Sequence, residues 1–288
     1  MRVLKGSSNP RLSDSIASEL GADTVLADIR RFPDGEIYAR VLEPLDGEDV
    51  VIVQSTYPDH NAMEMFILSQ LVSDLGAGSV WGVVPYFGYA RQDRVFNEGE
   101  SFTARTMARH LQMSLDHVIC VNLHKETILD HFTDVKSRVN LSVMGDIGAF
   151  LKEMGVDFVL SPDAGAVDYA REAASEAGVP FDHLEKRRLD GETVSMKPKN
   201  LDVDGRNVAI VDDIIATGGT ILRAQETLRE QGAEKVYACC AHGLFTGGGI
   251  ERLTPHLDGL FSSDTIENPT TRISAGRVIA RYIEDTVG

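Results

Sequence analysis

With 288 residues, 43% of them hydrophobic and 25% charged, the chain is long enough for two domains of moderate size and can build cores without disulfide or metal staples. Its net charge of −16 and pI near 4.9 exclude a general polyanion-binding role, because an acidic field repels nucleic acid and anionic membranes. No apolar run approaches the ~18 residues of a membrane span, and the opening MRVLKGSSNPRL has no long apolar core of a secretory signal, so a cytoplasmic protein is expected.

Arginine outnumbers lysine and aspartate is abundant, which suggests a solvated, carboxylate-rich surface suited to high salt. Cys120, Cys239 and Cys240 sit in apolar runs without metal-ligand spacing and read as buried thiols.

In chain order, FPDGE (Phe32–Glu36) comes first, a turn with an aromatic and two acids. A strand is predicted over Val50–Gln54, a helix over Asn61–Leu75 and a strand over Trp81–Tyr86. PYFGYARQDR follows, where aromatics with Arg91, Gln92 and Arg94 at a strand exit suit stacking on a base and pairing with phosphates. The strand His117–Asn122 leads to His124, and the strand Phe158–Ser161 leads to a turn shaped by Pro162 and Gly165 that projects Asp163. EKRRLDGE (Glu185–Glu192) gathers Lys186, Arg187 and Arg188 in an acidic chain, which favours an anionic partner.

The strand Val208–Asp212 then opens VDDIIATGGT, with Asp212 and Asp213 at its carboxyl end and Thr217-Gly218-Gly219-Thr220 leading into the helix Gly219–Gln231. Ligands of open α/β sheets bind beyond the carboxyl ends of strands, and a glycine turn at a helix start presents N–H groups to an anion. Paired carboxylates accept hydrogen bonds only and so suit sugar hydroxyls. A strand over Val236–His242 and a last helix over Ser274–Thr286, able to pack on either half, complete the series.

Short apolar strands alternating with helices predict an α/β fold with largely parallel sheets covered by helices. The chain also resembles itself. DVVIVQS (Asp49–Ser55) parallels NVAIVDD (Asn207–Asp213), and LGAGSVWGVVPYF (Leu75–Phe87) parallels QGAEKVYACCAHG (Gln231–Gly243) at nearly the same offset. Two duplicated domains are therefore expected, residues 1–140 and 141–288.

VDDIIATGGT resembles the ribose-phosphate loop of the phosphoribosyltransferase superfamily, with Ala216 where an acidic or small residue is usual. Together with FPDGE, PYFGYARQDR, SPDAGAV and Lys186-Arg187-Arg188, all in order, it is similar to the ribose-phosphate pyrophosphokinases, and the short length resembles their compact archaeal-type members. The resemblance implies two duplicated phosphoribosyltransferase-like domains and a homo-oligomer with ATP bound at a subunit interface.

It further implies that Phe32, Asp34, Gly35 and Glu36 contact ATP from a neighbouring subunit while Arg91 and Gln92 grip it. His124 and Asp163 would hold Mg2+, and Lys186 and Arg188 would be catalytic. Arg188, Asp212, Asp213, Ala216, Thr217, Gly218, Gly219 and Thr220 would bind ribose 5-phosphate. Asn122 stands where the family commonly has aspartate, so an acid near the metal is lost. Two other readings compete: a nucleobase phosphoribosyltransferase, which leaves FPDGE and PYFGYARQDR unexplained, and a non-catalytic regulatory subunit, which should have lost Lys186, Arg188, His124 or Asp163.

Overall fold

The structure, a computed structural model, describes residues 1–188, 194–197 and 201–287. It divides into two compact units, one of Met1–Ser142 with Thr265–Glu267 and Ser274–Gly288, the other of Val143–Asp264 with Asn268–Ile273.

The first unit contains β1 (Arg2–Lys5), α1 (Pro10–Glu19), β2 (Asp23–Thr24), β3 (Ala27–Arg31), β4 (Ile37–Val41), β5 (Asp49–Val53), α2 (Asp59–Asp74), β6 (Ser79–Val84), α3 (Thr103–Leu111), β7 (His117–Val121) and β8 (Ser137–Leu141). Six strands form one parallel sheet in the order β2-β1-β5-β6-β7-β8, and β3 and β4 make a separate antiparallel hairpin.

Val50 and Ile52 of β5 alternate with Val51 and Val53, so the strand is apolar on both faces, as a covered parallel sheet requires. One face meets Met65, Leu68 and Val72 of α2, spaced three and four apart along the helix. Leu68 is fully buried, and truncating such a side chain to alanine costs about 2–5 kcal/mol. Helix α2 starts at Asp59 rather than Asn61, because Pro58 can precede a helix and Asp59 places an acid in its first turn.

The second unit follows with α4 (Met144–Glu153), β9 (Phe158–Ser161), α5 (Val167–Ala177), β10 (Phe181–His183), β11 (Glu185–Arg188), β12 (Val194–Lys197), β13 (Asn207–Ile215), α6 (Gly219–Glu230), β14 (Lys235–Gly243), α7 (Gly249–Leu253), β15 (Gly259–Ser263) and β16 (Thr271–Ile273). Its parallel sheet runs β10-β9-β13-β14-β15-β16, and β11 pairs with β12 as an antiparallel hairpin. Both units therefore repeat one strand order and insert a hairpin at the same point of the chain. The last helix, α8 (Gly276–Val287), packs on α1, where a Cβ at Gly276 would overlap the Ser15 side chain.

Two expectations need correction. Strand β13 does not end at Asp212 but runs to Ile215, because the β-branched Ile214 and Ile215 continue the ladder with β14, pairing with His242 and Gly243. The aspartates thus lie within a strand. Strand β6 stops at Val84, and Tyr86 N–H donates instead to Ser55 Oγ at 3.1 Å. All three cysteines are buried, as read from their apolar surroundings.

Candidate active site

The carboxyl edge of the second sheet concentrates acid beside an open helix start. Asp213 is buried, and its Oδ1 accepts Ile214 N–H at 2.9 Å, while Asp212 Oδ1 accepts Asp213 N–H at 2.9 Å. Desolvation, then the charge and hydrogen bonding of Asp213, then the charge of Asp163, push the Asp212 carboxyl well above the usual carboxylate range. Asp163 reaches this neighbourhood because β9 lies beside β13. Its turn is tied locally, with Gly165 N–H donating to Asp163 Oδ1 at 2.7 Å and Ser161 Oγ–H to Asp163 O at 2.6 Å.

Beyond Ile215, Gly218 sits at φ +82 and precedes α6 with no side-chain cap. A Cβ there would meet three Leu253 atoms at 2.8–3.0 Å, so glycine is required by both conformation and space. Gly219 is different: a Cβ on it would meet nothing within 4 Å. Arg252 of α7 braces the loop, donating to Thr217 O at 2.9 Å and Gly247 O at 2.7 Å. The result is an exposed Thr217 and an uncapped N-terminus of a 12-residue helix, an arrangement that favours an anion by about 0.3–2 kcal/mol.

In the first unit, the loop between β1 and α1, whose counterpart by strand order is the β9–α5 loop, is occupied from within the protein. Glu64 of α2 is buried there, its Oε1 accepting Ser7 N–H and its Oε2 accepting Ser7 Oγ–H, both at 2.7 Å. Gln54 Oε1 takes Ser8 N–H at 3.0 Å. A carboxylate of the protein itself thus uses the donors of this strand-end loop. Neither Glu64 nor Arg252 announces this role in the sequence, since each is one charged residue on a helix.

The remaining expected residues fall in the first unit. FPDGE forms the exposed tip of the β3–β4 hairpin, with Gly35 at φ +94 and Phe32 N–H donating to Glu36 O at 2.8 Å. In PYFGYARQDR, Tyr86 and Phe87 are core residues, which corrects the expectation that these rings present themselves to a base. They turn inward because Phe87 packs edge-on against Phe132 and Gly88 is pressed against Thr56, whose Oγ1 accepts Gly88 N–H at 2.7 Å. Tyr89 alone of these rings is exposed, at φ +66, with its hydroxyl donating to Asp59 Oδ1 at 2.6 Å. Arg91 is exposed, and Gln92 N–H is held by Tyr89 O at 2.9 Å.

His124 is half-buried beyond β7, and Asn122 is buried at φ +42 with its amide donating to Ser142 Oγ at 3.4 Å. Asparagine tolerates that left-handed conformation, and burial there disfavours a charged aspartate. The side chains of Lys186 and Arg188 lie outside the described residues, although their backbones form β11. Among the described residues, no three His, Cys, Asp or Glu side chains gather as a metal cage, and no helix is long and apolar enough to cross a membrane.

A sequence model described as the N-terminal domain of ribose phosphate pyrophosphokinase matches residues 1–114, and one for the phosphoribosyl transferase domain matches residues 149–270. A ribose-phosphate pyrophosphokinase of Methanopyrus kandleri is 41% identical over 294 residues, covering 100% of both chains. Another from Thermococcus kodakarensis is 40% identical over 94% of this chain and 96% of its own. Among solved structures, the phosphoribosylpyrophosphate synthetase of Mycobacterium smegmatis superposes with a TM-score of 0.85 at 26% identity, covering 99% of this chain and 98% of that one.

Proposed function

Since the chain belongs to the ribose-phosphate pyrophosphokinase family, we infer that it transfers the β,γ-pyrophosphoryl group of ATP to the anomeric hydroxyl of ribose 5-phosphate, forming 5-phosphoribosyl 1-diphosphate and releasing AMP. The observation that carries the assignment of the acceptor site is the uncapped start of α6 beside Asp212 and Asp213.

Ala216, Thr217, Gly218, Gly219 and Thr220 bind the 5-phosphate through N–H and hydroxyl donors. Asp212 and Asp213 accept the ribose hydroxyls, whose hydrogen bonds offset the desolvation of those carboxylates. Arg91 and Gln92 hold the ATP phosphates, while Phe32, Asp34, Gly35 and Glu36 reach ATP from a second copy of the chain in a homo-oligomer. Lys186 and Arg188 neutralise charge on the pyrophosphoryl group as the oxygen of ribose attacks and AMP leaves; positioning and charge stabilisation dominate such transfers.

Asp163 offers an oxygen donor suited to Mg2+, which typically keeps one or two carboxylates, substrate phosphates and water as ligands; His124 would complete the protein's share. When bound, the ion supplies Lewis-acid charge neutralisation at the phosphate oxygens. The enzyme is proposed to work in the cytoplasm.

The deciding experiment supplies ATP, ribose 5-phosphate and Mg2+ and measures AMP. Lys186→Ala should lose about a hundred- to a thousandfold in turnover, the usual cost of a preorganised charge-stabilising donor. Absence of AMP from the wild-type chain refutes the reaction, and altered activity of an active synthetase mixed with such an inactive chain favours a regulatory subunit; near-normal turnover in the variant refutes the role of Lys186.

A further inference from the structure

The β3–β4 hairpin has two unlike faces. Ala27, Ile29, Ala39 and Val41 pack on the core of the first unit, fixing the hairpin from below. The opposite face carries Asp28, Arg30 and Phe32, two residues apart along the chain and therefore on one side of it. Arg30 lies directly across from Tyr38, and Asp28 across from Arg40.

These groups form a chain of contacts that ends on Phe32. Asp28 Oδ2 accepts from Arg30 Nε at 3.2 Å. The Arg30 guanidinium stands 4.5 Å from the Tyr38 ring centroid and 5.9 Å from that of Phe32. Tyr38 in turn meets Phe32 edge to face, with centroids 5.8 Å apart and planes at 80°. Phe32 nevertheless keeps 41% of its surface exposed. A hairpin tip ring held on one side by an aromatic edge and a cation, yet open to solvent, is preorganised to receive a flat partner, because its rotamer is restricted before the partner arrives.

We propose that Tyr38 and Arg30 are positioning residues that hold the Phe32 ring in place to stack on the nucleobase of the nucleotide donor. This rests on the reading that Phe32 contacts ATP. Tyr38 contributes its ring and not its hydroxyl, so phenylalanine should replace it. Asp28 orients Arg30 through one exposed hydrogen bond and matters less.

The test is steady-state kinetics on the full chain with ATP and ribose 5-phosphate varied separately, with melting temperatures to show that the variants fold. Tyr38→Leu should raise KM for ATP by roughly three- to tenfold, the strength of one aromatic pair, and leave kcat within about twofold and KM for ribose 5-phosphate unchanged. Tyr38→Phe should restore the wild-type KM. Arg30→Gln, which keeps both rings, should raise KM for ATP about twofold or more, and it serves alone if Tyr38→Leu does not fold.

A double-mutant cycle then asks whether Tyr38 acts through Phe32. In a Phe32→Leu background, Tyr38→Leu should add nothing to KM. Additive effects, or an unchanged KM for ATP in Tyr38→Leu and Arg30→Gln while Phe32→Leu raises it, overturn the positioning role and leave Phe32 as the nucleotide contact. An unchanged KM for ATP in Phe32→Leu itself overturns both.

Discussion

Gly218 and Gly219 stand side by side in one loop and should respond in opposite ways to the same methyl group. At Gly218, alanine would have to adopt φ +82, which costs about 1–2 kcal/mol for a residue with a Cβ. Its Cβ would also enter space held by Leu253, at 2.8–3.0 Å from three side-chain atoms, and overpacking of this kind costs about 1–3 kcal/mol. Leu253 is fully buried and has little room to retreat. Gly218→Ala should therefore lower the melting temperature, by roughly 2–4 °C per kcal/mol for a chain near this length, and should weaken ribose 5-phosphate use because the loop moves.

At Gly219 the added Cβ meets nothing within 4 Å and φ is not in the left-handed region, so stability should hold or rise slightly. Its KM for ribose 5-phosphate should still rise, since the space a phosphate needs against the N–H groups of α6 is the space the methyl group fills. Thermal melts paired with AMP-release kinetics separate the two effects. A Gly218→Ala protein with unchanged melting temperature and unchanged KM refutes the packing argument. A Gly219→Ala protein with unchanged KM refutes the placement of the phosphate at that helix start.

Asp212→Asn should abolish most activity and at neutral pH raise the melting temperature, because burial and the charge of Asp213 and Asp163 lift the wild-type carboxyl above its usual range. A folded-state pKa raised above the unfolded value gives stability that is full below the unfolded value and is lost as pH rises through the folded one, so the advantage of asparagine should vanish in acid. Melting curves across pH check this; an advantage independent of pH contradicts it.

Burial pushes the Cys120 and Cys239 thiols up to about 12, so neither should react with a thiol reagent at pH 8 until the chain unfolds, as thiol titration with and without denaturant will show. With a net charge of −16, self-repulsion should make the melting temperature rise as salt is added, and a flat salt series counts against the carboxylate-rich surface as a high-salt adaptation.

The strands and the glycine turn that opens α6 were legible because their signals are local. Four apolar residues, two acids and TGGT within one short segment specify a strand, a turn and a helix start whatever surrounds them. The duplication was legible for a related reason, since the repeated strand order β2-β1-β5-β6-β7-β8 and β10-β9-β13-β14-β15-β16 follows from a repeated local pattern. Where β13 ends was less legible, because Ile214 and Ile215 suit a strand and a loop mouth equally until β14 pairs with them.

Side-chain direction was a different matter. Tyr86 and Phe87 read as a display of aromatics beside Arg91, yet Phe132, which lies far along the chain, draws Phe87 inward and leaves only Tyr89 outside. Arg252 holding Thr217 O and Glu64 filling the β1–α1 loop depend on partners dozens of residues away. Composition, periodicity and short motifs by themselves determined that this is a duplicated α/β chain with a glycine turn opening a helix after its β13 strand. Tertiary structure alone decided which strand-end loops stay open, because a donor is available to a ligand only if no other part of the folded chain has already reached it.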